Sequence, residues 1–244
     1  MNKMKKLSVF LLMMLVTMAV SAYQLSPLSV TYDPRGAGSS KVYTITNDSN
    51  SPIAIQIKPL KRMVDRNGEE YTESANAYFS INPAKLIIRP GETQLVRVQY
   101  RGPQTVTKEM SFRIQAEQIP YSLGASQEDA GQTISFLFVY STSAYVKPTK
   151  IIEKVGATVA LEGNSLEVVI ANQGSVHQLL SQLKVDIKGD DGSSYSVPSE
   201  LLAHIEGANL LTNSKFVIEV PMPEELSGAT SFTADVSYNY RYTE

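Results

Sequence analysis

Two antiparallel β-sandwich domains are the fold this sequence predicts, on three observations. Apolar residues recur with period two through most of the chain, as in "KVYTITN" (41–47), "IAIQIKP" (53–59), "TQLVRVQYR" (93–101), "MSFRIQAEQI" (110–119) and "ISFLFVYSTSAYV" (134–146). Turn-forming clusters separate these segments: "NDSNSP", "DRNGEE", "RPGE", "RGPQ" and "SLGASQEDAGQ". The same style returns after residue 150 in "SLEVVIANQG", "QLKVDIKGDDGSS", "KFVIEVPMP" and "TSFTADVSYNYRY", with no alternation of strands and long helices that would signal a parallel sheet.

Taken in order, residues 1–22 read as a cleaved signal peptide. Lys3, Lys5 and Lys6 precede an apolar run from Leu7 to Val20, which leads into the small-x-small site Val20-Ser21-Ala22. About 14 apolar residues are too few for a bilayer span, which needs roughly 20, so no stable membrane insertion is expected after cleavage. Residues 23–148 form the first predicted domain and 149–244 the second, with the break at "KPTKIIEK", where Pro148 ends the longest strand. The one helical candidate is "SELLAHIEGANLL" (199–211).

Charge and composition exclude several functions. The chain has 22 basic and 24 acidic residues. Without the three signal lysines the balance is 19 to 24, or −5, against the basic face that nucleic-acid binding needs. The absence of cysteine removes disulfides and thiolate metal sites, so stability rests on core burial. The two histidines, His177 and His204, lie in separate contexts and do not make a metal-ligand set. "DRNG" and "GDDGSS" put acids beside glycine without full calcium-loop spacing and read as hairpin turns. With no phosphate loop, nucleophile elbow or zinc-protease motif, neither a cofactor nor catalysis is expected.

The segment 134–146 poses the main question. Ile134, Phe136, Phe138 and Tyr140 share one face, while Ser135, Leu137, Val139 and Ser141 share the other. Apolar groups on both faces do not suit a strand with one wet side. On its residues alone this is a strand buried in its own sandwich.

An ordered set of segments resembles the PapD-like periplasmic chaperones of the chaperone–usher pilus pathway: "VYTITNDSNSPIAIQI" (42–57), "FSINPAKLIIRPGETQLVRVQY" (79–100), "FRIQAEQIP" (112–120) and "AYVKP" (144–148). The resemblance covers nearly all of the first domain and only loosely the second. It implies two immunoglobulin-like domains in a boomerang arrangement, periplasmic location, and pilus (fimbrial) subunits and an outer-membrane usher as partners. It further implies that the strand ending at Pro148 complements an incomplete subunit by strand addition. The donor set would be Ile134, Phe136, Phe138 and Tyr140, with Leu137 and Val139 turned into the chaperone's own core. In the best-known branch, an arginine and a lysine anchor the subunit's terminal carboxylate; the matching positions here are Ser29 and Ser143. The departure resembles the archaic or alternate branches, and the candidate anchors are Arg113, on the face opposite Phe112 and Ile114, and Lys147. The competing readings are a secreted structural or adhesive sandwich such as a pilin, and an all-β enzyme or metalloprotein. Two domains and the prolines Pro27 and Pro34 near the expected mature start weigh against a pilin.

Overall fold

Eighteen strands carry the fold in the computed structural model, which describes residues 23–65, 68–120, 137–240 and Tyr242. The expected signal peptide, Ile134 and Phe136 lie outside the described residues. The first half contains β1 (Tyr23–Ser26), β2 (Ser29–Tyr32), β3 (Ser40–Asn47), β4 (Ile53–Val64), β5 (Glu70–Ser74), β6 (Phe79–Asn82), β7 (Lys85–Ile88), β8 (Thr93–Tyr100), β9 (Met110–Ile119) and β10 (Val139–Val146). They form two sheets, one in the order β1-β3-β8-β6 and the other β2-β10-β9-β4-β5, with β7 also on β4. Alternate residues from both sheets meet in one core, which includes Tyr32, Tyr43, Ile45, Ile55, Val96 and Phe112.

Sequence reading ends the second of these segments at Pro59, yet β4 runs on to Val64. Ile57 N–H bonds Ala84 and Ala75 N–H bonds the Pro59 carbonyl, so odd-numbered residues of β4 face β7 and β5. β7 pairs with residues 53–56 and β5 with 60–64. Pro59 falls in the gap between them, where its missing donor interrupts no ladder.

The second half contains β11 (Val155–Glu162), β12 (Ser165–Asn172), β13 (Gln178–Leu179), β14 (Lys184–Gly189), β15 (Ser194–Ser196), β16 (Asn209–Leu210), β17 (Lys215–Pro221) and β18 (Phe232–Ser237). Sheets β11-β12-β17 and β15-β14-β18 enclose a separate core around Leu166, Val168, Ile170, Val185, Ile187 and Val220. The helical candidate shrinks to one turn, α1 (Ser199–Leu202), followed by turns and β16.

Both halves reuse one device. Buried Asn47 ends β3, donates from Nδ2 to the carbonyls of Ser51 (2.8 Å) and Ile88 (3.0 Å), and accepts the Ser49 N–H on Oδ1. Buried Asn172 ends β12 and repeats the pattern with the carbonyls of Val176 (2.8 Å) and Leu210 (3.0 Å) and the Gly174 N–H. Each amide replaces ladder bonds where the strand stops, and buried backbone groups need such partners. The chain is thus a tandem of two related sandwiches, nearly all β.

The two cores meet across side chains. Tyr145 of β10 stacks on His177 at 4.2 Å and 15°, Asn209 Nδ2 donates to the Tyr145 hydroxyl at 2.8 Å, and His177 Nδ1 lies 2.8 Å from Glu109 Oε1. Thr212 Oγ1 donates to the Glu109 carbonyl, and Lys108 Nζ to Asn213 Oδ1.

Candidate functional site: an open strand edge beside an arginine pair

β10 lies between β2 and β9, but the two neighbours cover different lengths of it. β9 pairs antiparallel with all of Val139–Val146, whereas β2 pairs in parallel only from Ser143 to Val146. The carbonyl of Phe138 accepts from Gln118 of β9, and Ser143 N–H donates to Leu28 on the other side. Even-numbered residues therefore bond β9. Val139 and Ser141 turn their N–H and C=O groups to an edge on which no strand lies among the described residues.

The side chains alternate in the opposite sense to the sequence expectation. Val146, Ala144 and Thr142 are fully buried, and counting back by twos brings Tyr140 and Phe138 to the same core. Tyr140 packs edge-on against Tyr23 at 4.7 Å. Leu137 and Val139, expected inside, are 47% and 52% exposed. This corrects the assigned facing at Phe138 and Tyr140. A one-residue shift in reading exchanges the two faces of a strand, and the aromatics of 134–140 drew the reading to the wrong parity. Ser141 and Ser143, on the outer face, were the signal that could have fixed it.

The outer face of this sheet carries charge. Ser143 registers with Ser29 on β2 and with Arg113 on β9, so the two serines at the family's basic positions are neighbours. Arg113 does face away from the buried Phe112 and Ile114. Its Nη1 donates to Ser143 Oγ at 2.8 Å, and its Nε and Nη2 donate to the two carboxylate oxygens of Glu70 at 2.8 and 2.6 Å. Arg62 of β4 donates from Nε to Glu70 Oε2 at 2.7 Å and from Nη1 to the Tyr145 hydroxyl at 3.4 Å. Burial alone would raise the Glu70 pKa, but the hydrogen bond from Arg113 and the charges of both arginines outweigh it and hold the carboxyl below its ordinary value. Lys147 sits at the end of β10 with its ammonium 2.9 Å from Asp33. A cavity of about 390 Å³ adjoins Arg62 and is lined by Met63, Tyr71 and Lys108 from one half and Leu211 and Asn213 from the other.

Sequence reading found Arg113 but missed Arg62 and Glu70. Both lie beyond Pro59, where the strand pattern fades, and "DRNGEE" reads as a turn. No group of three or more metal-ligating side chains occurs among the described residues, and no helix there is long and apolar enough to cross a membrane.

Residues 23–151 match the model of the pili and flagellar-assembly chaperone family, PapD N-terminal domain. The chain belongs to this family. Solved structures agree on the fold. The class 5 fimbriae chaperone CfaA is 14% identical with a TM-score of 0.57, over 91% of this chain and 100% of that one. A chain from a chaperone–tip adhesin complex of CFA/I fimbriae is 15% identical with a TM-score of 0.56, over 89% and 98%. A chain from the CsuC–CsuE chaperone–tip adhesion subunit pre-assembly complex of the archaic Csu pili of Acinetobacter baumannii is 14% identical with a TM-score of 0.53, over 81% and 89%. No curated protein sequence matches the chain.

Proposed function

We propose that this family member is a periplasmic chaperone that captures pilus subunits by lending them a strand, and passes them to an outer-membrane usher. The observation that carries this reading is the open edge of β10. Val139 and Ser141 turn their backbone groups there to an edge with no strand partner among the described residues, with Leu137 and Val139 exposed beside them. A sheet edge of this kind is a template for another strand, and a subunit lacking one strand needs both the backbone partners and apolar side chains to fill its groove. In this reading residues 23–148 form the donor domain and 149–244 the second sandwich. The donor side chains among the described residues are Leu137 and Val139, because Phe138 and Tyr140 are committed to the chaperone's own core.

Arg113, with Arg62 beside it, would hold the subunit's terminal carboxylate at the inner end of the same strand. Lys147, engaged by Asp33, is the weaker candidate. The chaperone–adhesin and chaperone–subunit complexes among the structural neighbours support subunits as the partner class. Affinity purification of the tagged protein from periplasm, followed by identification of bound chains, tests the function. Small sandwich proteins lacking one strand are expected; recovery of none under native conditions overturns the reading.

A further inference from the structure

We propose that Glu70 is a built-in stand-in for the subunit's carboxylate, occupying the arginine pair until a subunit displaces it. This inference rests on the carboxylate-anchor reading above and adds a self-blocking contact to it. Three observations carry it. First, Glu70 fills Arg113 in the way an incoming carboxylate would. Its two oxygens take Nε and Nη2, the pair of parallel donors that forms the guanidinium's carboxylate fork. A second carboxylate cannot take that fork while Glu70 holds it.

Second, Glu70 comes from an element that can leave. β5 is exposed at all five positions and places no residue in the hydrophobic core. Among the described residues its links to the sheet are one ladder with β4, continued by the Ala75 N–H bond to the Pro59 carbonyl, and the Glu70 ion pairs, and segments with few buried apolar contacts open at low free-energy cost. Arg113, by contrast, stands on β9 between β10 and β4 and stays in place, whereas Arg62 lies one residue past the β4–β9 ladder, on the stretch of β4 that pairs with β5.

Third, the charges suit exchange. Two guanidinium groups face one carboxylate, so the cluster keeps a net charge of +1 and still attracts an anion. In the free protein, Glu70 would keep the arginines paired and off unrelated anions. A true partner supplies strand pairing along β10 as well as a carboxylate, and the two together outcompete a single side chain. A binding-competent state populated only in part weakens apparent affinity by that fraction, which is the cost of the block.

The test uses the full protein and two short fluorescein-labelled peptides of alternating valine and threonine, one ending in a free carboxylate and the other in an amide. Fluorescence anisotropy gives the preference for acid over amide in the wild type, Glu70→Gln and Glu70→Gln/Arg113→Ala. Glutamine keeps the shape of Glu70 but not its charge. The acid preference should rise about tenfold in Glu70→Gln, the scale of a lost charge-assisted contact, and vanish in the double variant. In the wild type, the acid peptide should shift the Glu70 carboxyl carbon resonance toward its free position and the amide should not, a readout that needs no variant. If acid preference is the same in wild type and Glu70→Gln but lost on removing Arg113, the anchor stands and the stand-in role is wrong. If acid and amide bind alike throughout, the anchor itself is wrong. If neither peptide binds any variant, the edge-pairing reading beneath both is wrong.

Discussion

Arg113 illustrates how a residue's partners decide its use. A strand arginine at the surface is ordinarily solvated, but this one is held by Glu70 and Ser143 and sits one strand away from the position where the family resemblance expects a cation. The Ser143 hydroxyl is uncharged, and it serves instead as an acceptor for the Arg113 guanidinium. If Arg113 holds the subunit carboxylate, Arg113→Ala removes charge-assisted hydrogen bonds of about 1.5–3 kcal/mol each. Subunit recovery should then fall at least tenfold while the free protein keeps its melting temperature within a few degrees. Unchanged recovery would move the anchor elsewhere. Glu70 gives a second prediction at the same scale. Its carboxyl is depressed in the folded state, so the stability it contributes is fully present above its ordinary pKa and is lost as pH falls through the depressed folded value. Thermal melts of wild type and Glu70→Gln should therefore differ most near neutrality and converge as pH falls through the depressed folded value of Glu70. A gap that stays constant down to low pH would mean the ion pairs contribute nothing.

β10 is where element-scale reasoning is tested hardest. Its existence, period-two alternation and end just before Pro148 are legible, because period two and proline chemistry are local. The facing was not, because 134–140 offers large apolar groups on both parities and the choice depends on which strand lies above and below. The buried run Thr142, Ala144, Val146 settles it, and those small residues carry little hydrophobic signal. β5 was illegible for a related reason: every residue in it is exposed, so no periodicity marks it, and with it went the partner of Arg113. The two faces of β10 should fail differently. Phe138→Ala deletes a ring packed on the core and should lower stability by about 2 kcal/mol, less than a fully buried phenylalanine, and Phe138→Asp should do worse by burying an unpaired charge. Val139→Asp should leave a folded protein, since the site is half open to water, yet reduce subunit recovery about tenfold, the worth of a valine-sized contact. Urea unfolding of each free variant beside its recovery of subunit separates the two. Unfolding by Val139→Asp, or normal folding of Phe138→Asp with lost capture, would return the donor face to the aromatics.

At the scale of the whole molecule, the question is what fixes one sandwich against the other, since the arginine pair adjoins the contact between the halves. Cysteine is absent and the link from 147 to 154 contains no strand, so non-covalent contacts must do it, among them a backbone bond from the Glu109 N–H to the Ser175 carbonyl at 2.8 Å. Glu109 is the centre of that contact. Its side chain is fully buried, Oε1 accepts from the His177 backbone N–H at 3.1 Å and lies 2.8 Å from Nδ1, and Oε2 has no hydrogen-bond partner among the described residues. His177 in turn lies flat on Tyr145, whose hydroxyl meets Arg62 and Asn209. One continuous set of contacts therefore runs from the interface to the arginine pair. A buried carboxylate with half of its acceptors unused is costly, and His177 is the side chain that offsets this. His177→Ala should lower stability by roughly 1–3 kcal/mol, the penalty for leaving such a group unsatisfied, with a further loss from the ring stack. Converting Glu109 to glutamine in that background removes the buried charge and should restore part of the loss, although Glu109→Gln alone should destabilise. This sign reversal, read from urea unfolding of the four proteins as a double-mutant cycle, is specific to a carboxylate balanced by His177. Simple additivity of the two substitutions would show that Glu109 and His177 are neighbours without being partners.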